Sequence, residues 1–261
     1  MAIVAIIPAR FGSTRLPGKP LSDIHGKPMI QHVHERVSLA RGLDRVLVAT
    51  DDERIASAVA AFGGEAVMTS SRHATGTDRL AEAVARTDAT IVVNVQGDEP
   101  QVDPAGIEAA LRPLREDALV SMSTLSLPLT DLEEMLSPAV VKVVADAAGD
   151  ALYFSRSPIP HVRQGPGGDA RSAAAQAVAK GLARRHVGLY VYRREALLRM
   201  AALPVAPLEE AEGLEQLRAL HHGIRIRVVP VAGGGGLAVD TPQDLERVRA
   251  LMAPAGRPPQ K

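Results

Sequence analysis

The stretch "AIVAIIPARFGSTRLPGK", residues 2–19, decides how the rest of the chain is read. Ile3 to Ile7 is a continuous apolar run that stops at Pro8, a pattern suited to a strand buried on both faces of a parallel sheet. The residues after it set Arg10, Arg15 and Lys19 beside Gly12 and Gly18. In open α/β sheets ligands bind beyond the carboxyl ends of the strands. Glycines let backbone N–H groups approach an anion closely. Arginine grips phosphate oxygens with two parallel hydrogen bonds, and lysine supplies a point charge. The loop therefore suits a polyphosphate. It is not a Walker A loop, because Pro20 stands where Ser or Thr must follow the lysine, and it is not G-x-G-x-x-G. Taken alone, these residues also fit a solvated loop with scattered cations.

Similar runs recur outward from this stretch: "RVLVAT" (45–50), "TIVVNV" (90–95) and "ALVSMSTLSL" (118–127). Amphipathic helical spacings separate them. Ile30, Val33, Val37 and Ala40 recur at three and four residues, as do Ile55, Val59 and Phe62, and Ile107, Leu111 and Leu114. Alternating strands and amphipathic helices make βαβ units and a mostly parallel sheet. Asp103 and Pro104 read as an N-cap and first helical residue. After about residue 126 the alternation changes. "VVKVVADAAGDALYFSR" (140–156) reads as an antiparallel hairpin around "DAAGD", and the Gly- and Ala-rich "QGPGGDARSAAAQ" (164–176) as a mobile loop. "RRHVGLYVYRREALLRMAAL" (184–203) is a strand running into a helix. "LEEAEGLEQLRAL" (208–220) is a helix and "IRIRVVPV" (224–231) a strand. In the closing helix Thr241 caps, Pro242 takes the first position, and Leu245, Val248 and Met252 form the apolar face. The expected organisation is one α/β domain over residues 1–253, with a hairpin-containing insert at about 127–190 and a disordered tail at 254–261.

Composition narrows the function classes. The 261 residues are 46% hydrophobic but only 2% aromatic, so Val, Leu, Ile and Ala must fill the core. Lys plus Arg and Asp plus Glu both number 30. That balance gives no support for a nucleic-acid or membrane surface. There is no cysteine, which removes disulfides, thiolate catalysis and cysteine-ligated zinc. No apolar segment reaches membrane-spanning length, and the first residues lack the basic region and long apolar run of a signal peptide. A soluble, cytoplasmic protein is expected.

Two acidic positions complete the pattern. "TIVVNVQGDEP" (90–100) is a buried-strand pattern ending in Asp98 and Glu99. A carboxylate at a strand's C-terminal end, facing a triphosphate, is a natural Mg²⁺ ligand, because magnesium prefers hard oxygens shared with phosphate. A turn aspartate after Gly97 is the plainer reading. Asp240, in "AVDTPQDL", is either a strand–helix junction residue or a second ligand. His32 and His34 sit two apart, so a helix would point them in different directions, and they do not form a metal pair.

Ten segments in order resemble the 3-deoxy-manno-octulosonate cytidylyltransferase family: "IIPARFGSTRLPGKPL", "GKPMIQHV", "VATDD", "HATGTDRLAE", "VNVQGDEP", "VKVV", "ALYFSRSPIP", "RHVGLYVYRREAL", "PLEEAEGLEQLRAL" and "VDTPQDLERVRA". The resemblance runs from about residue 3 to 252. It implies a Rossmann-like nucleotidyltransferase fold and transfer of CMP from CTP to the anomeric hydroxyl of 3-deoxy-D-manno-octulosonate (Kdo), with release of pyrophosphate, for lipopolysaccharide synthesis. By this resemblance Arg10, Arg15 and Lys19 hold the CTP phosphates, and Thr75, Gly76, Thr77 and Arg79 surround the cytosine and ribose. Asp98 and Asp240 bind Mg²⁺. Gln96, Arg156, His186, Tyr190, Glu215 and Gln216 line the acidic-sugar pocket, with Arg156 set to meet the sugar carboxylate. Relatives are usually homodimers, which makes the hairpin near residues 140 to 155 the expected interface.

The chain departs from the family's pattern in places. Phe11–Gly12 stands where relatives often carry Tyr–Ala, Thr75 where serine is common, and four glycines precede the Asp240 segment. Two alternatives stay open at the level of sequence. One is a cytidylyltransferase for another acidic sugar, an N-acylneuraminate or 8-amino-Kdo. The other is a non-catalytic nucleotide-binding protein, against which the retention of Lys19, Asp98 and Asp240 argues.

Overall fold

Strand β1 (Ile3–Ala9) is the frame on which the other elements assemble. Side chains alternate faces along a strand, so Ile3, Ala5 and Ile7 enter one core and Val4 and Ile6 another. A single 3₁₀ turn at Lys19–Leu21, the short hairpin of β2 (Asp23–Ile24) and β3 (Lys27–Pro28), and helix α1 (Met29–Ser38) follow. Then come β4 (Arg45–Thr50), α2 (Glu53–Ala61), β5 (Glu65–Met68), α3 (Gly76–Ala85), β6 (Ile91–Asn94), α4 (Pro104–Glu116) and β7 (Met122–Pro128). Beyond them lie α5 (Leu132–Leu136), the hairpin β8 (Lys142–Ala145) and β9 (Ala151–Ser155), α6 (Ala170–Ala179) and β10 (Arg184–Arg193). The chain continues through α7 (Arg194–Ala202), α8 (Pro207–Glu212), α9 (Gln216–His221), β11 (Arg227–Pro230) and α10 (Pro242–Leu251). This computed structural model describes residues 2–253 apart from 14, 74, 166, 234 and 235, so the expected tail at 254–261 lies outside the described residues.

Among the described residues nine strands form one sheet, with a spine ordered β11–β7–β10–β6–β1–β4–β5. β1 pairs in parallel with β4 and β6, β4 with β5, and β7 with β11. β10 is the reversed strand of the spine, antiparallel to both β6 and β7. The β8–β9 hairpin joins the edge of β10 through Lys142 opposite Arg185. The expected mostly parallel sheet with an inserted antiparallel hairpin is therefore present. Helices cover both faces. Ile30, Val33 and Val37 of α1, Ile55 and Val59 of α2, and Ile107, Leu111 and Leu114 of α4 fill the first core. Leu80, Ala83 and Val84 of α3, Leu197 and Met200 of α7, and Leu217 of α9 fill the second. Each such aliphatic side chain contributes about 1.5–3 kcal/mol on full burial, which is how a chain with almost no aromatics builds two cores.

Two smaller clusters bear on the site. Met29 and Ile24 pack on Val239, Leu245 and Val248, which folds α10 back onto the β2–β3 hairpin. In the insert, Leu129 and Met135 pack on Ala174, Ala177 and Ala183.

That last cluster corrects the reading of 164–176 as a mobile loop. Residues 170–179 are helix α6, whose N-cap Asp169 accepts from the Ser172 amide at 2.7 Å. Its buried stripe is alanine only, too weak to register as an apolar face until Leu129 and Met135 close over it. The single helix expected over 208–220 is instead two, α8 and α9, broken at Gly213, which takes φ +60°. A left-handed residue ends a helix, and glycine adopts it without a Cβ penalty.

Candidate active site

Strands β1 and β6 end side by side. A Cβ on Gly97 would lie 2.7 Å from the Pro8 carbonyl oxygen, so glycine is what lets the segment after β6 pass this close to the end of β1. From β1 the chain enters the cationic loop. The Phe11 carbonyl accepts from the amides of Ser13 and Gly18, at 3.0 and 3.1 Å, which folds the loop back on itself. The Phe11 ring is covered by the Arg54 guanidinium, 3.3 Å from the ring centroid, and Arg54 is itself held by Asp52 at 2.6 Å.

The loop delivers Lys19 to two carboxylates. Its ammonium donates to Asp98 at 2.6 Å and to Asp240 at 3.2 Å, and Arg15 reaches Asp240 at 3.1 Å. Asp98 lies in the turn that follows β6, four residues past Asn94. Asp240 comes from far along the chain, brought in by a backbone bond from the Val239 amide to the Asp98 carbonyl at 2.9 Å. The capping box of α10, Thr241 with Asp244, then turns the chain into its helix. The two acids singled out in the sequence thus converge on one cation. Among the described residues no group of three or more His, Cys, Asp or Glu gathers for a metal.

A cleft of about 330 Å³ opens beside this cluster, lined by Arg10, Arg15, Lys19, Thr75, Gly76 and Arg79. The N-terminus of α3 faces it, with Thr75 as N-cap in a capping box with Asp78. Backbone amides and the helix dipole favour negative charge at such an end. Arg79 is 4% exposed and paired, to Asp51 at 2.9 Å and to the Thr69 hydroxyl at 2.5 Å, so it braces α3 against the ends of β4 and β5. His73, which nothing in its local pattern marks, also lines the cleft and contacts Glu82 at 2.5 Å.

The second cavity, about 720 Å³, shares Gly76, Gln96, Asp98, Glu215 and Asp240 with the first. All six residues assigned to a sugar pocket lie on its wall. β10 supplies two of them beside an irregularity between Val187 and Tyr190 that re-aims the strand. The His186 Nε2 sits 2.9 Å from the Thr124 hydroxyl, with the Phe154 and Tyr190 rings 5.0 and 5.3 Å away. Desolvation pushes its pKa down to about 3, so the ring is neutral near pH 7. Gln96 donates to the Gly188 carbonyl at 3.3 Å. Glu215 and the buried Gln216 enter at the α8–α9 break; the Glu215 carboxylate accepts from the Thr77 hydroxyl at 2.6 Å. Burial raises the Glu215 pKa, and the Thr77 bond opposes that rise.

Arg156 ends β9 at the cavity wall, with its guanidinium already engaged. It donates to the carbonyls of Glu212 at 2.7 Å, Pro138 at 2.9 Å and Gly213 at 3.4 Å. Lys142, fully buried, donates to the carbonyls of Ser137, Val140 and Arg156. These two cations knit the wall of the cavity together. "VKVV" was part of the resemblance, but nothing in its local pattern marked Lys142 for this task. Asn94, Glu99, Arg185 and Tyr192 also line the cavity and carried no sequence assignment. Desolvation, with the charge of Asp98 second, pushes the Glu99 carboxyl up to about 7. Among the described residues the amide oxygen of Asn94 and the hydroxyl of Tyr190 are buried without a hydrogen-bond partner, side by side in register on β6 and β10.

The arrangement has known counterparts. A family model described as "Cytidylyltransferase" matches residues 4–226. A 3-deoxy-manno-octulosonate cytidylyltransferase of Syntrophotalea carbinolica is 56% identical over 252 residues, covering 97% of this chain and 99% of the relative. One from Geobacter sulfurreducens is 56% identical over 250 residues, covering 95% and 98%. Among solved structures, a CMP:2-keto-3-deoxy-manno-octonic acid synthetase complexed with CTP superposes with a TM-score of 0.87 at 47% identity, covering 97% of this chain and 99% of that one. A 4-diphosphocytidyl-2C-methyl-D-erythritol synthase from Anaerococcus prevotii shares the fold at a TM-score of 0.61 and 13% identity.

Proposed function

The chain belongs to the cytidylyltransferase family, and we propose that it is an enzyme that transfers CMP from CTP to the anomeric hydroxyl of Kdo, releasing pyrophosphate. The observation that carries the reading is the meeting of the two cavities at Asp98 and Asp240, both held on Lys19. A nucleotide in the cationic cleft and an acidic sugar in the larger cavity bring their reacting atoms together at that junction.

The reaction is a substitution at phosphorus. The anomeric oxygen of Kdo forms a bond to the α-phosphorus, the bond from that phosphorus to the bridging oxygen breaks, and pyrophosphate takes the electron pair. The hydroxyl proton is lost to solvent. Transfers of this type are catalysed mainly by positioning and charge neutralisation. Arg10, Arg15 and Lys19 sit where they neutralise the triphosphate and the leaving pyrophosphate, and the α3 N-terminus offers backbone N–H groups beside them. Neutral His186, Gln96 and Gln216 suit sugar hydroxyls. Arg156, pinned to three carbonyls, presents a fixed positive charge to the sugar carboxylate.

Asp98 and Asp240 fit Mg²⁺, which takes one or two protein carboxylates and completes its octahedron with phosphate and water oxygens. Held by this pair, the ion would supply charge neutralisation and a lowered pKa for the attacking hydroxyl. We further propose a cytoplasmic homodimer that serves lipopolysaccharide synthesis, with the 127–190 insert and its hairpin as the contact. Leu152, 62% exposed on β9, supports that surface. Among the described residues no helix is long and apolar enough to cross a membrane.

The test is pyrophosphate release from protein, CTP and Mg²⁺ with one acidic sugar at a time. Release with Kdo well above that with an N-acylneuraminate is expected. Preference for the N-acylneuraminate or for 8-amino-Kdo overturns the sugar assignment, and no release with any sugar overturns the enzyme reading.

A further inference from the structure

Thr77 belongs to the "TGTDR" segment that the resemblance places around the cytosine and ribose, but its side chain has turned elsewhere. Thr75, Gly76 and Arg79 line the smaller, cationic cleft; Thr77 lines the larger cavity. The residue is 4% exposed, and its hydroxyl donates to the Glu215 carboxylate at 2.6 Å, between residues 138 positions apart. A hydroxyl has one proton to donate, so this bond commits it. Among the described residues Thr77 is the side chain that hydrogen-bonds the Glu215 carboxylate. Arg218, the nearby cation, donates to Glu209 instead, at 2.8 and 2.6 Å.

Glu215 needs such a partner. It is the N-cap residue of α9, just past the helix break at Gly213, and its carboxylate reaches the wall shared by both cavities. Thr77 takes one carboxylate oxygen and leaves the other able to accept from a ligand. We infer that Thr77 is a positioning residue for the sugar cavity, orienting the Glu215 carboxylate toward the sugar, and does not touch the nucleotide. This rests on the reading of the larger cavity as the Kdo site.

The experiment measures pyrophosphate release while Kdo is varied at saturating CTP, and CTP at saturating Kdo, in the full chain. Thr77→Val keeps the shape and removes the hydroxyl; Thr77→Ala takes its place if valine is not accommodated. The KM for Kdo rises about tenfold while that for CTP stays within about twofold, the split expected for a lost contact to one substrate. Thr77→Ser, which restores the donor, returns the KM for Kdo to near the wild-type value. In a Glu215→Ala background the Thr77→Val change has no further effect on Kdo, since nothing remains to be oriented. A rise in the CTP constant alone, an equal rise in both, or no change in either overturns the inference, as does a full extra loss in the Glu215→Ala background. Wild-type protein that turns over no Kdo overturns the functional reading, and this inference with it.

Discussion

The cationic cleft and the larger cavity meet at Asp98 and Asp240, yet they are built from different materials. The cleft is made by a loop and a helix end. Arg15 and Lys19 pair with Asp98 and Asp240 there, partly in water: the Arg15 and Asp240 side chains are 64% and 42% exposed. The larger cavity is walled by β10 and the end of β6, with Arg156 just past β9 and the α8–α9 break at residues 213–216. It holds a histidine kept neutral and two buried polar atoms without a partner among the described residues, and a fully buried lysine behind its wall is spent on carbonyls. A triphosphate carries enough charge to be gripped by exposed point charges on a loop. Sugar hydroxyls are distinguished from water only where polar groups are oriented and desolvated, so that a wrong ligand leaves them unpaired. The walls of β10 and the α8–α9 break supply such oriented groups, and the exposed cationic loop does not.

The junction is where the largest effect is expected. Asp98→Asn and Asp240→Asn each lower turnover by about 10²–10³, the scale of losing a group that stabilises transition-state charge. The double mutant falls little further, because residues acting through one centre behave as a unit. Turnover of the three proteins at saturating Mg²⁺ decides it. An Asp240→Asn protein with wild-type turnover leaves Asp240 as a helix-junction residue and breaks the junction shared by the two cavities. Lys19 between the carboxylates removes any ground for a gain in stability from relieved repulsion, so both single mutants unfold at or slightly below the wild-type temperature.

The next effect belongs to the cleft alone. A hydrogen bond to a charged group is worth about 1.5–3 kcal/mol, so Lys19→Ala lowers kcat/KM for CTP at least about tenfold. In the wild type the KM for CTP rises with salt more than the KM for Kdo, because partly exposed charges are screened and buried contacts are not. Equal salt sensitivity of the two constants means that cleft and cavity are solvated alike.

The smallest effect belongs to the cavity and is read in stability. The folded-state pKa of His186, about 3, is below its ordinary 6.5, so the unfolded chain binds the proton more readily. Its contribution is complete above about pH 6.5 and is lost as pH falls from there toward 3. Between pH 7 and pH 5 this amounts to about 1–2 kcal/mol, below the full value of the shift because pH 5 still lies well above the folded pKa. Urea denaturation of wild type and His186→Gln at both pH values measures it. The wild type loses more stability than the mutant on acidification; parallel losses show that the ring is solvated and the cavity wet.

Local signals carried much of the fold. The apolar runs that became β1, β4 and β6, the caps at Asp103 and Thr241, and the prolines at 104 and 242 depend on neighbours a few residues away, so the sequence by itself determined them. The same holds for the position of the loop bearing Arg10, Arg15 and Lys19 and of Asp98 beyond a strand end, while composition alone left a solvated loop and a turn aspartate open. Tertiary structure alone decided what depends on distant partners. The alanine stripe of α6 becomes a buried face only against Met135 and Leu129. Asp240 reaches Asp98 only because the Val239 amide finds the Asp98 carbonyl. Thr77, in the segment assigned to the nucleotide, donates its hydrogen bond to Glu215, 138 positions away. Arg156 and Lys142 look like free cations until the carbonyls of three loops close on them. Helical and strand periodicities record which face of an element is apolar; which element that face will meet is a contact between residues far apart in the chain, and it exists only once the sheet has formed.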